Sequence, residues 1–222
     1  GSADVLQQLG ININLTKEES EEALEKAGIT FLFAPLYHPA MKYAAQVRKE
    51  LGIKTVFNML GPLTNPAGVK RQVVGTFSIK TAEIMSAAAK YLEHEKVCFI
   101  CCNDKLDEIH LGDVTSVFEY NGNEKISNYK INNEIFGYAK TSYEDIKGDS
   151  AARNAEIILD ILERKIKSPA FYTVTANAAL ALYVAGYSSD LIKCAKASEE
   201  SILSGEAYSK LFELKNFSNK LV

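Results

Sequence analysis

The chain has 222 residues, of which 47% are hydrophobic and 24% are charged, proportions that are ordinary for a soluble globular protein. Its net charge of -3 argues against a nucleic-acid-binding protein with a dominant basic surface. No apolar run approaches the roughly 18 residues that a membrane-spanning helix needs. The length is sufficient for a single α/β domain over residues 1–222.

Helix-capping signals mark the first part of the chain. Ser2 is the predicted N-cap of a helix that ends at Gly10. The capping box T-K-E-E at 16–19 opens a second helix, which ends near Gly28. A third helix is predicted over 39–51, with a proline at its first position.

Short apolar segments alternate with the predicted helices. The predicted strands are ITFLFA (29–34), VVGTFS (73–78), KVCFICC (96–102), TSVFEY (115–120) and EKISNYKIN (124–132). A helix is predicted at 80–93, and helices fill the chain from residue 149 onward. This alternation predicts an α/β fold with a mainly parallel sheet flanked by helices, extended by an antiparallel hairpin from the last two strands.

Cys98 and Cys101 form a C-x-x-C pattern inside the predicted strand 96–102. Side chains three residues apart on a strand point to opposite faces and cannot easily share a metal ion. The sequence contains no second C-x-x-C. The pattern therefore favours buried, reduced thiols of a cytosolic protein over a metal site or a disulfide.

Asp107 and Glu108 lie in a loop directly after the same strand. Open α/β sheets place their ligands beyond the carboxyl ends of their strands. Two oxygen ligands at that position suit Mg²⁺, which typically uses one or two carboxylates together with substrate phosphates. Adjacent acids are also common on solvated surfaces, so the spacing alone leaves both interpretations open.

Two further features have both a structural and a functional interpretation. The segment FNMLGPLTNPAG (57–68) has the composition of a rigid loop, which serves either as a turn or as part of a binding site. Arg48 lies near the end of the predicted helix 39–51, where a cation complements the helix dipole. Its guanidinium is also the group that grips a carboxylate with two parallel hydrogen bonds.

Longer stretches of the chain resemble one family, the anthranilate phosphoribosyltransferases. These stretches are GSADVLQQLG (1–10), FLFAPLYHPAMKYAAQVRKELGIKTVFNMLGPLTNPA (31–67), LDEI (106–109), GDSAARNA (148–155) and NAALALYVAG (177–186). They follow the family's order and spacing over essentially the whole chain. In the family, a helical domain, a GTGGD loop and a KHGNR-type segment precede the first stretch. None of these is present in the 222 residues, so the chain is expected to be the C-terminal two-thirds of such an enzyme.

The resemblance implies transfer of the phosphoribosyl group from phosphoribosyl pyrophosphate (PRPP) to the amine of anthranilate, the second step of tryptophan biosynthesis. The implied metal ligands are Asp107 and Glu108, for Mg²⁺, and the implied substrate-binding residues are Ser2, Arg48 and His38. By resemblance, Arg48 holds the anthranilate carboxylate and Ser2 contacts the phosphoribosyl substrate. His38 and the loop 61–66 fall where the family forms its anthranilate channel.

The resemblance also sets expectations for the whole protein. It implies a cytoplasmic homodimer that acts on small molecules and binds neither nucleic acid nor membrane. Residues 1–222 alone are expected to be inactive, because the family's phosphate-binding loop is not among them. Two alternatives are a pyrimidine nucleoside phosphorylase-like enzyme and a non-catalytic paralogue that binds nucleic acid. The acid pair 107–108 and the negative charge argue against the latter.

Overall fold

The structure is a computed structural model that describes residues 1–38, 43, 50, 55–123 and 125–220. The backbone groups into two compact units. Unit 1 comprises Gly1–Lys54, Gly148–Ile166 and Ser201–Val222, and unit 2 comprises Thr55–Lys147 and Lys167–Glu200. The interpretation of residues 1–222 as one domain stays a prediction. The predicted helix 39–51 falls outside the described residues, apart from positions 43 and 50.

The described residues form eleven helices and four strands. The helices are α1 (Ser2–Gln8), α2 (Lys17–Ala27), α3 (Ala34–Tyr37), α4 (Phe57–Leu63), α5 (Ile79–Ala89), α6 (Asn133–Phe136), α7 (Tyr143–Ile146), α8 (Ala151–Leu162), α9 (Pro169–Ala185), α10 (Leu191–Ser204) and α11 (Glu206–Lys220). The strands are β1 (Arg71–Gly75), β2 (Lys96–Cys102), β3 (Thr115–Tyr120) and β4 (Ser127–Ile131). No described helix has both the length and the apolar character required to cross a membrane.

Unit 1 packs α1, α2, α8 and α11 around an apolar cluster. The buried members of this cluster are Leu9, Ile11, Leu15, Ala23, Ala155 and Leu214. The predicted capping box is confirmed, because Thr16 Oγ1 accepts a hydrogen bond from the Glu19 N–H and Glu19 Oε2 accepts one from the Thr16 N–H. Gly28 ends α2 in the left-handed conformation, with a φ of 75°.

The prediction of a strand at 29–34 is wrong. Residues 29–33 have no regular secondary structure, and α3 begins at Ala34. The rings of Phe31 and Phe33 stack with their centroids 6.5 Å apart, and the side chain of Ile29 is 45% exposed. A strand requires a partner for its backbone hydrogen bonds, and the described part of unit 1 contains no strand. A short apolar run does not reveal whether such a partner exists.

Unit 2 contains a four-stranded sheet in the order β1-β2-β3-β4. Strands β1 and β2 are parallel, whereas β2/β3 and β3/β4 are antiparallel. The predicted α/β class and the antiparallel hairpin are confirmed, but the described sheet is mixed rather than mainly parallel. Parallel neighbours need a long crossover connection between the two strands. Among these four strands, only β1 and β2 are joined in this way, by α5.

Helices cover both faces of this sheet, which explains why β2 is apolar at almost every position. Cys98 and Ile100 belong to the buried cluster under α9, and Val97 and Phe99 belong to the cluster under α5. All four cysteines are buried and free, as predicted. Burial, followed by the charge of Glu119, raises the pKa of the Cys98 thiol to about 12, so this thiol is neutral at physiological pH.

A buried carboxylate, Glu119, is held by three donors on the α9 side of the sheet. Its oxygens accept hydrogen bonds from the hydroxyls of Tyr129 at 2.7 Å and Tyr183 at 2.9 Å. The ammonium of Lys96 lies 3.6 Å from the carboxylate and 3.3 Å from the centroid of the Tyr183 ring. These contacts link β2, β3, β4 and α9, and they compensate the loss of hydration that burial imposes on the charges.

We expect Glu119→Leu to lower the free energy of unfolding by about 3 kcal/mol, because it removes the acceptor of two tyrosine hydroxyls and the ion-pair partner of Lys96. Chemical denaturation measured by circular dichroism provides the test. The matched control is Glu134→Leu, on the exposed surface of α6, for which a change within about 0.5 kcal/mol is expected. Equal losses in the two variants would contradict a stabilising role for the cluster.

Candidate functional site

The acid pair lies where the sequence places it, beyond the carboxyl end of β2. After β2 the chain makes a turn, and the Cys102 N–H donates to the carbonyl of Leu106 over 2.8 Å. Asp107 and Glu108 follow directly, and both of their side chains are exposed. Because β1 and β2 are parallel, their carboxyl ends share this edge of the sheet.

The end of β1 touches the backbone of the acid pair. Gly75, which lies opposite Ile100 in the sheet register, is the last residue of β1. A Cβ atom at position 75 would lie 1.9 Å from the carbonyl oxygen of Asp107 and 2.9 Å from its Cβ. No side chain fits there without displacement of the acid pair. Position 75 therefore requires glycine because its backbone lies so close to the Asp107 carbonyl, and not because of an unusual backbone angle.

The two carboxylates form a small region of concentrated negative charge. Although Glu108 is exposed, protein atoms beside its carboxyl exclude part of its water and raise its pKa, and the charge of Asp107 raises the pKa further. A bound cation would relieve this repulsion. The described residues contain no cluster of three or more His, Cys, Asp or Glu side chains suited to a metal. Two carboxylates are what Mg²⁺ typically takes from a protein, beside substrate phosphates and water.

A side-chain amide on α9 holds the residue that follows the acid pair. Oδ1 of Asn177 accepts a hydrogen bond from the Ile109 N–H over 2.9 Å, and Nδ2 of Asn177 donates to the Ile109 carbonyl over 3.0 Å. Sequence reasoning missed both Asn177 and Gly75. For Asn177, the available signal was a polar amide directly before the apolar run AALALYVA of α9.

Two further predicted site residues, Ser2 and His38, lie in unit 1. Ser2 is the first residue of α1 and is exposed, so the N-cap position belongs to Gly1 and the prediction of Ser2 as the cap is wrong by one residue. Gly10 follows the helix with a φ of 81°. His38 follows α3, is half-buried, and donates its backbone N–H to the Ala34 carbonyl over 3.0 Å. Arg48 lies outside the described residues.

The segment 57–68 is only partly the loop that its composition predicts. Residues 57–63 form α4, which contains Gly61 and Pro62. Pro62 lacks the N–H that would donate to the Asn58 carbonyl, and the helix ends one residue later. The predicted turn begins afterwards, where Oδ1 of Asn65 accepts a hydrogen bond from the Ala67 N–H over 2.9 Å.

Comparison with known proteins identifies the family. Residues 1–208 match the family described as "Glycosyl transferase family, a/b domain". The chain belongs to this family. Within it, the chain is 40% identical to anthranilate phosphoribosyltransferase of Bacillus velezensis, over 97% of this chain and 63% of that protein. It is 43% identical to the Clostridium kluyveri protein of the same name, over 99% of this chain and 65% of that protein.

Solved structures of this family agree with the fold. The crystal structure of anthranilate phosphoribosyltransferase from Thermus thermophilus has a TM-score of 0.89 and 35% identity, and the match covers 99% of this chain and 64% of that one. The Saccharomyces cerevisiae protein in complex with PRPP and Mg has a TM-score of 0.91 at 23% identity. The resemblance predicted from the sequence is confirmed. The chain spans 63% and 65% of the length of the two curated relatives named above.

We expect Gly75→Ala to destabilise unit 2 by about 1–3 kcal/mol, because the added methyl group overlaps the Asp107 carbonyl. Amide chemical shifts of residues 106–109 should change with it. Gly61→Ala is the matched control, since a Cβ at position 61 in α4 meets no atom within 4 Å. Gly61→Ala should leave the free energy of unfolding unchanged or raise it by up to about 1 kcal/mol. If Gly75→Ala behaves like the control, the proposed close approach is contradicted.

Proposed function

We propose that the protein transfers the phosphoribosyl group of PRPP to the amine of anthranilate and releases pyrophosphate, in tryptophan biosynthesis. The observation that supports this most is the exposed acid pair 107–108 at the carboxyl edge of β1 and β2, in a chain 40–43% identical to proteins of that name. In this reaction the amine nitrogen bonds to C1 of the ribose as the C1–oxygen bond to pyrophosphate breaks. The amine proton passes to water.

Asp107 and Glu108 are the proposed holders of Mg²⁺. When bound, the ion neutralises charge on the departing pyrophosphate. Their exposure leaves the ion accessible to phosphate oxygens, which complete the coordination of Mg²⁺ together with water. The yeast protein of the same fold binds PRPP and Mg together.

The remaining proposed roles concern orientation of the substrates. Arg48 grips the anthranilate carboxylate through two parallel hydrogen bonds, and Ser2 contacts the phosphoribosyl group. His38 is a further proposed contact for anthranilate, and a yeast structure of this fold contains 4-fluoroanthranilate. Since the amine is weakly basic, the rate enhancement comes from placing it against C1 and from stabilising the leaving group.

We further propose that the full-length gene product is an active cytoplasmic homodimer and that residues 1–222 alone are nearly inactive. The 222 residues contain no GTGGD loop, so much of the grip on pyrophosphate is missing from them. Four free, buried thiols fit a reducing compartment.

The metal role of the acid pair is testable on this chain with Mn²⁺ as a paramagnetic probe. We expect Mn²⁺ to broaden the amide signals of residues 106–109 at lower concentrations than any other signals. The double variant Asp107→Asn/Glu108→Gln should abolish this effect, because it removes both charged ligands. A control, Glu21→Gln/Glu22→Gln on the surface of α2, should retain it. Equal broadening around other adjacent acids, such as 144–145, would contradict a specific site.

The anthranilate site is testable by calorimetric titration of the chain with anthranilate. We expect Arg48→Ala to weaken binding by about 10- to 100-fold, because it removes a charge-assisted, two-bond contact. Arg164→Ala is the matched control, since Arg164 is exposed and pairs with Glu156 and Asp160 on α8. Binding that is unaffected by Arg48→Ala would refute the assigned role, and no binding by the unaltered chain would refute an anthranilate site within these residues.

A further inference from the structure

The amide of Asn177 uses its oxygen and both of its N–H groups to join the acid-pair segment, residues 106–109, to α9. Its oxygen accepts from the Ile109 N–H, and its nitrogen donates to the carbonyls of Ile109 at 3.0 Å and Thr173 at 2.9 Å. The two bonds to Ile109 fix that residue's backbone much as a neighbouring strand would. The bond to Thr173, one turn earlier on α9, fixes the amide itself.

The Asn177 amide binds the segment 106–109 at the point where its exposed part meets its buried part. Glu108 is exposed, whereas Ile109 is fully buried and packs in the cluster under α9. On the opposite side of the acid pair, Gly75 contacts the Asp107 carbonyl. The backbone carrying the two carboxylates is therefore fixed from β1 at one end and from α9 at the other.

We infer that Asn177 is a positioning residue, which orients the Asp107 and Glu108 carboxylates toward one cation. This inference rests on the proposed function of the pair as a Mg²⁺ site. Carboxylates that share an ion must be placed within a fraction of an ångström, and residues that orient ligands typically change metal affinity about 10- to 100-fold when removed. Two exposed side chains can meet that demand only if their backbone is held by the surrounding fold.

A purely structural role for Asn177 makes a different prediction. The buried N–H and carbonyl of Ile109 require hydrogen-bond partners in any case, so loss of the amide lowers stability under either account. The positioning role predicts, in addition, a loss of metal affinity. This loss should exceed the one seen in a variant that is equally destabilised at another position. Asn133 provides the comparison, because it is another asparagine of unit 2, it is buried, and its Nδ2 donates to the Tyr138 carbonyl over 2.7 Å.

The experiment compares Asn177→Ala and Asn177→Ser with Asn133→Ala by Mn²⁺ titration, read from the amide signals of residues 106–109. Melting temperatures are measured in parallel. We expect both Asn177 variants to raise the Mn²⁺ dissociation constant about tenfold or more. Asn133→Ala should keep it within about twofold of the unaltered chain at a similar loss of melting temperature. Hydrogen exchange of the Ile109 amide in the unaltered chain should be slow and should become fast in both Asn177 variants.

Failure of this inference is distinguishable from failure of the proposed function. If the unaltered chain shows no Mn²⁺ effect at 106–109, the proposed metal site is overturned, and the role inferred for Asn177 is overturned with it. If the unaltered chain binds Mn²⁺ but Asn177→Ala and Asn133→Ala have the same affinity, the inference alone is overturned. Slow exchange of the Ile109 amide that persists in the Asn177 variants would also overturn it.

Discussion

The close approach between the end of β1 and the backbone of Asp107 is the constraint on which the candidate site depends. It requires glycine at position 75, the parallel register in which Gly75 faces Ile100, and the sharp turn after Cys102. Together these bring two carboxylates to the edge of the sheet where parallel strands end. The chemistry proposed for this edge thus follows from backbone packing before any side chain contacts a substrate.

The exposed acid pair follows β2, a strand that is buried at every position after Lys96. Helices α5 and α9 cover the two faces of β2, and α9 also contributes the amide that holds Ile109. The same helix contributes Tyr183 to the buried cluster around Glu119. Helix α9 therefore contacts both the Glu119 cluster and the segment that carries the acid pair. Flexible carboxylates on a mobile loop would not hold a divalent cation as precisely.

The sequence predicts those features that depend on local pattern. The Thr16 capping box, the β2 strand, the antiparallel hairpin and the position of Asp107 after β2 are all confirmed. Prediction from the sequence fails where the structure of a segment depends on residues that are distant along the chain. The run 29–34 is not a strand because the described part of unit 1 provides no strand beside it, and Asn177 is separated from Ile109 by 68 positions. Contacts of this kind become visible only once the chain has folded.

The most direct test of the account is a transfer assay on the full-length gene product, with anthranilate, PRPP and Mg²⁺ as reactants. The account predicts Mg²⁺-dependent consumption of anthranilate with release of an equal amount of pyrophosphate. The double variant Asp107→Asn/Glu108→Gln should lose this activity while it retains its fold. Transfer that proceeds equally well in the double variant, or no transfer by the unaltered gene product, would contradict the central claim.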